Sequence, residues 1–100
     1  MYRGTTPTFI LEVEGDVDLT LANNVYATFS QKNTVITKTG GDIIVRPNGV
    51  GVYFSQEESL KFKTGAIMVQ LNWTYNEGRR SCTDIISISV SKNLLDEVLA

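Results

Sequence analysis

A chain of 100 residues, 42% of them hydrophobic, is sized for one domain built on one core, here residues 1–100. A formal charge of −2, with no basic run beyond Arg79-Arg80, gives little attraction for a phosphate backbone and argues against nucleic acid as a partner. The absence of histidine and the single cysteine, Cys82, exclude Cys/His zinc sites, an internal disulfide and the commonest general base.

In chain order, Thr8 to Glu14 alternates Phe9, Leu11 and Val13 against Thr8, Glu12 and Glu14, which predicts a first strand with one solvated face and Ile10 on that face. Gly15-Asp16-Val17-Asp18 breaks it, and Leu19 to Asn24 reads as a connection in which Leu19 and Leu21 close one end of the core. Val25 to Gln31 is the second strand, with Val25, Ala27 and Phe29 inward and Tyr26 outward. Lys32-Asn33 predicts a tight turn on the strength of asparagine's tolerance of positive φ, and Thr34 to Thr39 returns as the third strand before Gly40-Gly41 ends it.

Ile43 to Arg46 and Val50 to Ser55 flank Pro47-Asn48-Gly49, and Asn48-Gly49 predicts a two-residue turn with both residues at positive φ. Val50, Val52 and Phe54 then face inward and Tyr53 outward, with Pro47 marking a sheet edge. Ser55-Gln56-Glu57-Glu58 has the spacing of a capping box and predicts one helical turn that aims Leu60 and Phe62 inward. The longest strand runs from Ala66 to Tyr75 with Ile67, Val69, Leu71, Trp73 and Tyr75 on one face, which places Trp73 in the core. After the polar loop Asn76–Arg80, Ser81 to Ser91 predicts the last strand, with Cys82, Asp84, Ile86, Ile88 and Val90 inward.

Seven strands joined by turns too short for crossover helices leave an antiparallel sandwich or a small barrel. The sandwich is preferred because Gly40-Gly41 and Gln56–Lys63 are places to switch sheets, and the fold expected is an all-β, immunoglobulin-like sandwich of about seven strands. The start, Met1–Pro7, has no apolar signal region and forms an extended arm, and no apolar run approaches the ~18 residues of a membrane span. A protein made and folded in a cytoplasm, with no membrane partner, is expected.

No residue set looks catalytic, and no metal or cofactor is expected. Asp16 and Asp18 are too few for a calcium site and read as an Asx-rich turn. Asp84, on an apolar face, needs a partner, and Arg79 or Arg80 would supply one. Asn72-Trp73-Thr74 fits a glycosylation sequon in mid-strand and reads as chance. Tyr26 and Tyr53 read as a cross-strand pair that stabilises a sheet, or else as a stacking platform for a sugar. The end, Lys92–Ala100, carries Leu94, Leu95, Val98 and Leu99, too many apolar residues for a free terminus, and is expected to dock on something.

Three stretches, Arg3–Thr8, Phe54–Phe62 and Leu94–Leu99, resemble a family of short proteins encoded among the tail genes of phages and prophages of gut Firmicutes. That family is in turn loosely similar to the immunoglobulin-like N-terminal domain of phage baseplate upper proteins. The resemblance implies a virion structural or adaptor protein, made in the bacterial host cytoplasm, that contacts other phage structural proteins or itself, as a homo-oligomer in the second case. The alternative is a small ligand- or glycan-binding sandwich. A flat apolar patch or free strand edge would favour assembly, and a concave aromatic cleft would favour ligand binding.

Overall fold

The computed structural model describes all residues, Met1–Ala100. Eight strands form, β1 Thr8–Glu12, β2 Asn24–Gln31, β3 Thr34–Thr39, β4 Ile43–Arg46, β5 Gly49–Tyr53, β6 Gly65–Thr74, β7 Arg80–Cys82 and β8 Ile86–Val90, with one short helix, α1, at Gln56–Leu60. A three-stranded sheet has the order β1-β5-β4, and a larger sheet has the order β3-β2-β6, with β7 and β8 sharing the far edge of β6. Every strand pairing is antiparallel. The chain visits the small sheet, the large sheet, the small sheet and the large sheet in turn. This is the order of the immunoglobulin sandwich, with strands B-E-D facing C′-C-F-G and no strand A beside β1.

The core lies where the alternation is cleanest. Val25, Ala27 and Phe29 from β2 and Ile67, Val69, Leu71 and Trp73 from β6 are buried, and the register sets Phe29 beside Val69 and Ala27 beside Leu71. Leu11, Val50 and Val52 close over them from the small sheet. Three fully buried rings, Phe29, Phe54 and Phe62, join the layers, with Phe54 centred 4.7 Å from Phe29 and 6.0 Å from Phe62. The Trp73 indole N–H donates to the Tyr75 hydroxyl at 3.1 Å, which satisfies its polar edge inside the core.

The last strand is two strands because of a bulge. Cys82 pairs with Asn72 and Ile86 with Val69, so Thr83-Asp84-Ile85 spans only Gln70-Leu71. Thr83 anchors the extra residue: its hydroxyl accepts from the Leu71 N–H at 3.1 Å and its carbonyl from the Gln70 side chain at 2.8 Å. One inserted residue reverses the facing of everything before it. Cys82 therefore lies exposed on the outer face rather than in the core, and Asp84 is exposed and makes no ion pair with Arg79 or Arg80. Val90 is buried, Ile88 is partly so, and Ile86 is half exposed at the rim.

The two turns also differ from expectation. Arg46 pairs with Gly49, so the two-residue turn is Pro47-Asn48 and Gly49 is already a strand residue without positive φ. Proline holds φ near −65°, which suits the first central position of such a turn. In the β2–β3 turn it is Lys32, with φ 47°, that takes the left-handed conformation, not Asn33. Leu19 is buried as expected, but Leu21 points into solvent.

Gly49 is required by crowding, since a Cβ there would collide with the Leu11 carbonyl of β1. Gly51 is different: a Cβ there would stand in ordinary contact, 3.7 Å from Ile10 and 3.8 Å from Ile44. Gly49→Ala should cost about 1–3 kcal/mol by overpacking, whereas Gly51→Ala should gain roughly 0.5–1 kcal/mol from the stiffer unfolded chain. Urea melts of the two variants in dilute solution check the opposite signs.

Candidate functional site

The two chain termini and α1 come together at one end of the sandwich. The backbone of Met1–Arg3 adds to the end of β8: the terminal ammonium donates to the Ser89 carbonyl at 2.7 Å, and Tyr2 bridges Ser91 in parallel. The arm is thus tied down rather than free, and Gly4, at φ 80°, turns it across Leu60. Ser59, fully buried, donates from its hydroxyl to the Thr5 carbonyl at 2.7 Å and fastens the arm to the helix.

Arg3 is the centre of this arrangement. Its guanidinium donates at 2.9 Å to the carbonyl of Leu60, which α1 leaves without a partner at its C-terminal end, and at 2.6 Å to that of Phe62 just beyond, and it pairs with Asp96 of the terminal segment. Asn93 donates to the Arg3 carbonyl at 3.0 Å and accepts from the Leu95 N–H at 3.2 Å. The Gln56 side chain closes a reciprocal pair with the Leu99 backbone, accepting at 2.7 Å and donating at 3.1 Å.

Every one of these anchors on the terminal segment is polar. Of the apolar side chains they carry, Leu94 is 92% exposed, and Leu95, Val98 and Leu99 are half exposed, at 50%, 51% and 52%. The segment docks on its own sandwich through its backbone and polar side chains, and it leaves nearly all of Leu94 and about half of the other three apolar side chains in water. Arg3, Gln56 and Asn93 are the residues that sequence reading misses, because their partners lie up to 93 positions away and no local pattern links them.

Beneath α1 lies an ion pair inside the fold. Lys38, on the edge strand β3, points inward, is buried, and sets its ammonium 2.5 Å from Glu58 and 5.5 Å from the centre of the Phe54 ring. Glu58 completes the capping box, accepting from the Ser55 N–H at 2.9 Å while its own N–H donates to Ser55 Oγ at 3.2 Å. Burial by itself would raise the Glu58 pKa. Hydrogen bonds from Lys38 and the Ser55 backbone, with the Lys38 charge, outweigh it and hold the carboxyl below its ordinary value of 4.5. A charge turned inward on an edge strand also discourages unwanted strand pairing.

The two tyrosines are not brought together. Tyr26 sits half-buried on the outer face of the large sheet beside Thr39 and Asn72, while Tyr53 is 55% exposed on the outer face of the small sheet beside Thr8. They are neither a cross-strand pair nor a shared platform. None of the principal surface depressions is lined by an aromatic ring. Asp18 spends its carboxylate on Thr20, accepting from the backbone N–H at 3.0 Å and from the hydroxyl at 2.5 Å. Asn72 accepts two hydrogen bonds from the Arg80 guanidinium, at 2.9 and 3.2 Å. No three His, Cys, Asp or Glu side chains gather closely enough to hold a metal ion, and no helix is long and apolar enough to cross a membrane.

Comparison with known protein families, with curated proteins and with solved structures finds no match to this chain.

Proposed function

We propose that this chain is a non-catalytic structural or adaptor component of a phage or prophage tail or baseplate, acting by protein–protein contact within the virion. The tail setting comes from the resemblance of Arg3–Thr8, Phe54–Phe62 and Leu94–Leu99 to phage tail proteins. The mode of action rests on one observation: the terminal segment is pinned by Arg3, Gln56 and Asn93 in a way that leaves Leu94 almost wholly, and Leu95, Val98 and Leu99 by half, in water. Full burial of an exposed side chain of this size gains about 1.5–3 kcal/mol, and of a half-exposed one about half that, so the four held in place together are a ready contact for another protein. The glycan-binding alternative needs aromatic rings that converge, and Tyr26 and Tyr53 lie on opposite sheets.

The test replaces the contact and keeps the anchors. A variant with Leu94→Ser, Leu95→Ser, Val98→Ser and Leu99→Ser should melt in urea within about 2 kcal/mol of the parent, at up to about 0.5 kcal/mol for each surface change. It should also fail to enter particles released on induction of the phage. A variant that enters particles normally, or that melts far more easily, would reduce the segment to a lid on its own sandwich.

A further inference from the structure

We infer that the outer face of the three-stranded sheet is a two-fold self-association surface whose partner is a second copy of this chain. Its outward residues form rows across the sheet. Ile10, Gly51 and Ile44 make one row, and Glu12, Gly49 and Arg46 make the next. Tyr53 stands beyond them on β5, so the face offers two exposed isoleucines, at 68% and 65%, either side of a glycine floor, with one tyrosine above. The charged row carries one acid on the left edge strand and one base on the right, and neither takes part in an ion pair within the chain.

That placement is self-complementary. Rotating a second copy by half a turn about an axis along β5, in the plane of contact, exchanges left and right edges. Each Glu12 then faces the second copy's Arg46, each Ile10 faces Ile44, and Gly51 and Tyr53 meet their own counterparts. Such an isologous contact makes every pairing twice. Facing sheets pack about 10 Å apart with their strands within about 30° of aligned, a range that includes the aligned strands of this two-fold.

The face is also small. Strands of four or five residues, spaced as in any sheet, cover at most about 17 by 14 Å, far less than the ~800 Å² per partner of a standard interface. The pair is therefore weak alone and suited to repetition inside a larger assembly. It is separate from the terminal segment and does not need it.

Sedimentation equilibrium of the full chain at concentrations up to about 1 mM tests the pairing. The weight-average mass of the parent should rise above the monomer's with concentration, toward that of a dimer. Glu12→Arg and Arg46→Glu should each remain monomeric, because like charges then face one another twice. An equimolar mixture of the two should associate at least about tenfold more tightly than either alone, since every facing pair becomes opposite in sign. Ile44→Asp, at an exposed edge position, should also stay monomeric without touching the ion pair, and urea melts confirm that each variant folds. A parent that is monomeric throughout, or charge reversals that leave association unchanged, overturns the inference. If the four-serine terminal variant alone abolishes association, the sheet face is refuted while the assembly reading survives.

Discussion

Phe54→Ala should lower the stability of the fold by about 3–5 kcal/mol, enough to remove a large share of what a 100-residue domain possesses. Phe54 is fully buried just after β5, where the chain leaves the small sheet, and its ring touches both layers. Phe9 from β1 lies 5.5 Å away edge-on, Phe29 from β2 lies 4.7 Å away, and Phe62 stacks beyond α1 at 6.0 Å. Removing it opens a cavity that three aromatic neighbours cannot close together, and it also withdraws the ring under the Lys38 ammonium. A urea melt with an unchanged slope and a midpoint well below the parent's is the expected result. A midpoint near the parent's would mean that the sheets pack without this ring.

Glu58→Gln should cost about 1–2 kcal/mol, less than the loss of a fully buried partner because the Glu58 side chain keeps 26% of its exposure. Glutamine can still serve the capping box, so the loss isolates the charge that Lys38 needs. Lys38→Met in the same background should recover most of the loss, since an apolar side chain of similar length has no charge to strand. The pH dependence has a definite sign. Glu58 titrates below its ordinary value of 4.5 in the fold, so the folded chain binds fewer protons there than the unfolded chain. Its contribution is whole above 4.5 and is lost as pH falls through the lower folded value. Urea midpoints of parent and Glu58→Gln, followed from neutral pH to about pH 3, should converge at the acid end. Parallel curves would show that the ion pair contributes nothing.

The same residues show how far sequence reasoning reaches. Ser55 and Glu58 are three apart, so their mutual capping is legible from spacing alone, and the alternation of Ile67, Val69, Leu71 and Trp73 identifies both the strand and its buried face. Lys38 gives no such signal. In β3 it occupies the position that alternation assigns to the core, and only a carboxylate brought in from α1, twenty residues away, makes a buried ammonium tolerable there.

What the sequence determined by itself is whatever depends on neighbours in the chain: the β class, the strand positions, the face each long strand buries, the helical turn and the surplus of apolar residues at the end. These follow from period-two alternation and from capping chemistry, which act over a few residues. Tertiary structure decided what depends on distant partners. A bulge opposite β6 placed Cys82 outside, although its strand has inward spacing. The pairing of Arg46 with Gly49 set the turn at Pro47-Asn48, and close approach of the Leu11 carbonyl of β1 requires glycine at that strand position. Asp96, paired with Arg3 at the other end of the chain, holds the terminal segment while Leu94 stays in solvent and Leu95 and Leu99 stay half exposed. Each is a contact between residues remote in sequence, where the energy of burial or ion pairing outweighs local preference and no local pattern records the outcome.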